Sequence, residues 1–299
     1  MVKFSEHIKA NESDAFSIIL PTWNNLDYLQ LCIKSLRKNS SYKNQIIVAV
    51  NEGSDGTLEW LKEQDDIDFV HATENMGVCY AVNACRPHAK TDYIVYMNDD
   101  MYVCPEWDKE LLKEIKSLNT DYFFLSSSII EPIKNSNPNY VAHIKDYGTT
   151  PKNFNEDTLL LEYASLPINN WLGSSWPPNV VHKKLWDAVG GYSIEFSPGM
   201  YSDPDFSMKL WHAGVRKFYG VGKSRVYHFG ERSTGRIKKN KGADTFLSKW
   251  GMSARSYYSE HLMIGKEEFF NYPNQIQLSW HSRLRNTGKL LFNALFRTF

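Results

Sequence analysis

No apolar stretch in this 299-residue chain is long enough to cross a bilayer, and Met1 to Asp14 is polar and charged, without the apolar core of a secretory leader. Cysteine is scarce. Cys32, Cys79, Cys85 and Cys104 lack the close-paired spacing of a zinc site, and four scattered cysteines do not make a disulfide scaffold. They are expected as free, buried thiols in a reducing, cytoplasmic compartment. Charge of one sign is missing too: 34 lysines and arginines balance 34 aspartates and glutamates, so no global field points to nucleic acid. There is no internal repeat. Aromatic residues are plentiful at 14%, and Trp and Tyr serve a sugar-binding cleft as readily as a core.

Strand and helix patterns alternate through the first hundred residues. Strands are expected over 16–20, 45–50, 67–71 and 93–97, and helices over 26–39, 57–64 and 77–87. That alternation predicts βαβ units, a parallel sheet with helices on both faces, and polar loops gathered along one sheet edge. Beyond it, 106–118 reads as a helix and 121–130 as a strand. Between 131 and 167 periodicity fades while Pro, Asn, Lys and Thr accumulate, so this stretch is expected to be variable or partly mobile. Order resumes at 179–183, followed by helices over 184–189 and 205–213, and short strands over 217–220 and 225–228. The tail from Ser256 is expected to be mostly helical.

The run Tyr93-Ile94-Val95-Tyr96-Met97-Asn98-Asp99-Asp100 is the centre of the pattern. A buried strand ends in three oxygen-bearing side chains, at the sheet edge where open α/β folds bind ligands. Such a cluster suits a hard divalent cation, which takes one or two carboxylates and shares itself with substrate phosphates. An Asn-Asp turn after a strand explains the same residues.

Five motifs in order decide between these readings. Pro21-Thr22-Trp23-Asn24, Asn51-Glu52-Gly53-Ser54-Asp55-Gly56-Thr57, Glu74-Asn75-Met76-Gly77 with Asn83, Asn98-Asp99-Asp100 and Ser202-Asp203-Pro204-Asp205 together resemble the inverting, family-2-like glycosyltransferases of the GT-A fold. The resemblance spans roughly 16–251. It implies an α/β, GT-A type fold with a mostly parallel, Rossmann-like nucleotide-binding half over 16–130. A mixed acceptor and catalytic half over 131–255 follows, then a helical extension over 256–299. It also implies metal-dependent transfer of a hexosyl group from a nucleotide-diphospho-sugar, UDP favoured, to a glycan or lipid-linked acceptor.

By the same resemblance, Pro21, Thr22, Asn24, Asn51, Glu52, Asn75 and Gly77 contact the nucleotide, with the Asn51 carbonyl taking the uracil imide hydrogen. Asn98 and Asp99 contact ribose or metal-bound water. Asp100 binds Mn²⁺ or Mg²⁺ directly, and His228, in Val226-Tyr227-His228-Phe229-Gly230, is a further ligand. Asp203 is the general base, because an incoming hydroxyl must lose its proton as the new bond forms. Asp205 is expected as a cap or scaffold acid. Asn98, Asn51 and Ser202 stand where the family usually has acids.

Other readings stay open. A binding protein of the same fold without turnover accommodates those three departures. A sugar-phosphate nucleotidyltransferase also joins a parallel sheet to acidic metal ligands, but Pro21-Thr22-Trp23-Asn24 is no glycine-rich, basic triphosphate loop. Trp171 and Trp176 suit either sugar stacking or the core. Arg232, Ser233, Thr234 and Arg236 read as a loop closing over a diphosphate or as an exposed basic loop. The 280–299 segment mixes Trp, Leu and Phe with Arg and Lys and has no acid. That composition fits an interfacial helix at the inner membrane face, or packing against its own domain or a second subunit.

Overall fold

Phe16–Trp23 and Gln45–Asn51 are buried along almost their whole length because helices cover both faces of the sheet they join. The structure, a computed structural model of the chain, describes residues 3–9, 12–135, 137–230, 240–267 and 272–296. In chain order its first half comprises β1 (Phe4–His7), β2 (Phe16–Trp23), α1 (Leu26–Asn39), β3 (Gln45–Asn51), α2 (Thr57–Lys62), β4 (Ile67–Ala72), α3 (Val78–Cys85), β5 (Tyr93–Tyr96), β6 (Met101–Val103), α4 (Trp107–Leu118) and β7 (Phe123–Glu131). The second half adds β8 (His143–Ile144), α5 (Glu156–Glu162), β9 (Trp171–Leu172), β10 (Asn179–His182), α6 (Lys183–Val189), α7 (Ser202–His212), β11 (Lys217–His228), α8 (Gly242–Trp250), α9 (Ala254–Ser256) and α10 (Trp280–Phe296).

All the strands belong to one sheet of order β1-β4-β3-β2-β5-β10-β7-β11-β6, with β8 on β7 and β9 on β11. The block β4-β3-β2-β5 is parallel, as the alternating pattern requires, and β7 and β11 are also parallel. β10 runs antiparallel between β5 and β7, and β1 and β6 close the two edges antiparallel. The sheet is therefore more mixed than a Rossmann half alone.

Two cores follow from the two faces. On one, Leu29, Ile33 and Leu36 of α1 and Trp107, Leu111 and Ile115 of α4 meet the sheet. On the other, Cys79 and Val82 of α3, Trp186 of α6 and Phe206 and Leu210 of α7 do so. Cys32, Cys79, Cys85 and Cys104 are buried and free.

Three expectations need correction. β1 was not foreseen; it is an exposed edge strand that pairs with β4, with Glu6 3.5 Å from His88. The stretch after Glu131 is built rather than loose: Tyr147, Leu159 and Leu166 pack with Tyr102 and Tyr227 in a third core. The two short strands near 217 and 228 are one strand, β11, carrying a bulge between Val221 and Arg225. Tyr257, Tyr258, Leu262 and Tyr272 lie in the same core as α3 and α7. Among the described residues, no helix is long and apolar enough to cross a membrane.

Candidate functional site

The C-terminal ends of β2, β3, β5, β7 and β11 deliver Trp23, Asn51, Tyr96, Glu131 and His228 to one edge of the sheet. A cleft of about 540 Å³ opens there. It is lined by Pro21, Thr22, Asn51, Asn75, Gly77, Asn98, Asp99, Asp100, Asp203 and His228. Six separate stretches of sequence thus share one cavity.

Strand register explains the pairing of Asp100 with His228. β6 runs antiparallel to β11 with Met101 opposite His228, and the Phe229 amide donates to the Asp100 carbonyl at 3.1 Å. β7 runs parallel to β11 on the other side with Ile130 beside Tyr227, which brings Glu131 level with His228. His228 Nδ1 lies 2.6 Å from Glu131 Oε1, and Nε2 lies 3.2 Å from Asp100 Oδ1 without hydrogen-bond alignment. Tyr140 donates its hydroxyl to the same Glu131 oxygen at 2.8 Å. Burial alone pulls the His228 pKa down, but the Asp100 and Glu131 carboxylates outweigh it and push it up to about 10.

This arrangement fits a divalent cation. With the Nδ1 proton turned to Glu131, the Nε2 lone pair and an Asp100 lone pair face each other, and a buried pair of acceptors needs a positive charge between them. The protonated ring meets that need in the bare chain, and a metal meets it equally. Among the described residues, no three His, Cys, Asp or Glu side chains converge on one point. Asp100 and His228 would therefore be two ligands, with phosphate and water supplying the rest, as Mn²⁺ and Mg²⁺ accept. Asp99 turns aside: its Oδ1 accepts from Asn25 Nδ2 at 3.1 Å.

α7 begins at Ser202 after Tyr201 adopts φ 72°, and Ser202 Oγ donates to the Gly199 carbonyl at 2.7 Å. Asp203 is only partly buried, facing the cleft. Its carboxyl is pushed up to about 7 by burial, against a weak opposing contact from the Tyr192 hydroxyl at 3.5 Å. Asp205 points the other way, fully buried among Ser193, Lys249 and Trp250. One of these acids is available to a ligand; the other holds the helix in place.

On the loops after β2 and β3, Thr22 Oγ1 is buried without a hydrogen-bond partner among the described residues. A hydroxyl left in that condition is suited to a ligand. Asn51 is buried, and its side-chain carbonyl already accepts the Met76 amide at 3.0 Å, so the group expected to meet a uracil imide is partly spent on the third loop. Asn24 and Glu52 do not line the cleft. They bond each other at 3.0 Å, and Asn24 also caps the Ser54 amide at 2.8 Å. Gly77 is required by Pro198: a Cβ there would come within 2.5 Å of the Pro198 Cα. Its φ of 78° also favours glycine.

Some lining residues had not been foreseen, chiefly Tyr96, Asn137, Tyr140, Arg255 and Tyr258. Glu131, behind His228, was missed as well. Its signal was present in the sequence: β7 is an apolar strand ending in an acid, the same pattern that marked Asp100. Trp176 lines the cleft, whereas Trp171 is buried against Gly220. Arg232, Ser233, Thr234 and Arg236 lie outside the described residues.

A profile described as glycosyl transferase family 2 matches residues 17–168, just over half of the chain. The chain belongs to glycosyl transferase family 2. Among curated relatives, it is 30% identical over 112 residues to glycosyltransferase GlyA of Streptococcus pneumoniae, covering 36% of this chain and 16% of that protein. It is 26% identical over 102 residues to the teichuronic acid biosynthesis glycosyltransferase TuaG of Bacillus subtilis, covering 33% and 39%. The matched stretch spans well under half the length of these relatives.

The same family fold appears in solved structures. GalNAc-T7 with UDP, GalNAc and Mn²⁺ superposes with a TM-score of 0.57 at 14% identity, covering 83% of this chain and 50% of that one. Staphylococcus aureus TarS 1-349 in complex with UDP gives 0.53 at 14% identity, covering 95% and 73%. At such identity the likeness establishes the GT-A fold.

Proposed function

We propose that this family-2 chain transfers a hexosyl group, with inversion, from a nucleotide-diphospho-sugar to a hydroxyl of a glycan or glycoconjugate. UDP is the favoured nucleotide. The observation that carries the reading is that Asp100, His228 and Asp203 all line a single cleft.

Thr22 and Asn51 hold the base, and Asn75, Asn98 and Asp99 the ribose side. Asp100 and His228 hold Mn²⁺ or Mg²⁺; bound there, the ion offsets negative charge on the departing diphosphate. The imidazole ligand favours Mn²⁺. The bound ions of GalNAc-T7 and TarS, UDP in both and Mn²⁺ in the former, support this donor and cofactor.

Asp203 accepts the proton of the acceptor hydroxyl. The hydroxyl oxygen forms the new bond to the anomeric carbon while the bond to the diphosphate breaks, and the diphosphate leaves with the electron pair. A carboxyl held near pH 7 is a better base than an ordinary one and still ionises under physiological conditions.

Thermal-shift screening against UDP, GDP, dTDP and CMP, each with and without Mn²⁺, tests the donor assignment. UDP with Mn²⁺ is expected to give the largest rise in Tm. A larger rise with GDP or dTDP overturns the nucleotide, and no metal dependence overturns the cofactor.

A further inference from the structure

α10 is amphipathic in the reverse of the usual sense. Its buried positions are Ser282, Asn286 and Asn293, all polar. They are tied to the body: Ser282 donates to Glu260, Asn286 accepts from the Ser253 amide at 3.3 Å, and Asn293 donates to Asp244 at 3.2 Å. The opposite stripe, spaced i, i+4, i+11 and i+15, is Trp280, Leu284, Leu291 and Leu295, which are 63, 62, 59 and 74% exposed. Phe292 and Phe296 widen it, 54 and 72% exposed and in ring contact at 5.1 Å. A helix that packs in water buries its apolar stripe and solvates its polar one. Here the hydrogen bonds fix the polar face inward, so the apolar face is presented outward by construction.

Charge identifies what covers it. α10 carries Arg283, Arg285 and Lys289 and no acid. Pairing with α10 of a second copy would bring these cations against their own counterparts with no carboxylate on either helix. Arg285 is turned to the body, donating to Ser282 at 3.1 Å and Ser256 at 3.3 Å, so a surface of anionic lipid headgroups satisfies Arg283 and Lys289 while the acyl boundary takes the apolar stripe. The groove beneath α10 adds Arg255, and it shares Arg255, Ala254 and Tyr201 with the main cleft. The helix therefore lies beside the part of the cleft lined by Tyr201, Ala254 and Arg255.

We infer that α10 docks the protein on an anionic membrane surface, lying in the interface plane with Leu284, Leu291 and Leu295 inserted. The inference stands on α10 alone and does not depend on the transfer reaction.

The test is co-sedimentation of the full chain with vesicles of phosphatidylcholine, and of phosphatidylcholine with phosphatidylglycerol at about 7:3, at low and high salt. Wild type is expected to bind the anionic vesicles, to bind neutral ones weakly, and to be released by salt. Leu284→Asp/Leu291→Asp is expected to weaken binding at least roughly tenfold, and Arg283→Gln/Lys289→Gln to weaken it on anionic vesicles alone. Melting temperature and UDP binding serve as controls for folding and are expected to hold in both variants. No binding of wild type to anionic vesicles, or equal binding by the leucine variant, overturns the inference. So does a dimer in light scattering that the leucine variant dissolves while vesicle binding is absent.

Discussion

His228 Nε2 faces Asp100 Oδ1 at 3.2 Å, although the two residues are far apart in sequence. They meet because an antiparallel edge strand, β6, carries the chain away from Asp100 along β11. Any account of this site must say what charge lies between those two atoms.

If a metal does, Asp100→Asn removes the Mn²⁺-dependent part of the UDP thermal shift and leaves the metal-independent part. Isothermal titration of UDP with and without Mn²⁺ measures both parts. An unchanged metal dependence would place the ion elsewhere.

Glu131 sets the His228 tautomer from behind, at 2.6 Å. Glu131→Gln keeps the shape but not the charge, and is expected to weaken Mn²⁺ affinity by roughly 10–100-fold. Titration of Mn²⁺ in the presence of UDP measures this, with far-UV circular dichroism unchanged.

Asp203→Asn is expected to lower kcat about 10²–10⁴-fold while UDP–Mn²⁺ affinity stays as in wild type. In wild type, kcat/KM is expected to rise with pH through an apparent pKa near 7. The same shift has a stability consequence. A carboxyl raised from 3.8 to about 7 favours its neutral form, so ionising it costs the fold stability above pH 7 and costs nothing below about pH 4. The amide variant is thus expected to be more stable at pH 8, by about 1–2 kcal/mol after allowing for its partial exposure. That gain is expected to vanish as pH falls to 4. Denaturant unfolding at the two pH values checks the sign.

Gly77→Ala tests the close approach to Pro198. With a Cβ 2.5 Å from the Pro198 Cα and φ at 78°, it is expected to cost about 1–3 kcal/mol by denaturant unfolding. It should also raise the KM for donor, since α3 and the loop before Tyr201 both border the cleft.

Much of this site was legible because its residues end apolar strands. Thr22, Asn51 and Asp100 stand where a β-branched run stops, and the βαβ alternation alone puts those stops on one edge. Asn24 and Glu52 share that edge, but whether they face a ligand or each other is a matter of loop conformation, set by positive φ at both residues. Tyr140 was hidden in a stretch without periodicity. Its place depends on Glu131 and on ring contact with Trp176 at 5.2 Å, which local pattern does not encode. The composition of 280–299 fitted an interfacial helix as well as packing against its own domain or a second subunit. The polar-inward orientation of α10 became visible only through partners such as Glu260 and Asp244.

Release of UDP from a UDP-sugar, followed in wild type and in Asp203→Asn with and without Mn²⁺, tests the central claim most directly. We predict Mn²⁺-dependent release by wild type, and loss of release by Asp203→Asn with UDP–Mn²⁺ binding intact. Release that proceeds equally without Mn²⁺, or that survives Asp203→Asn, contradicts the account.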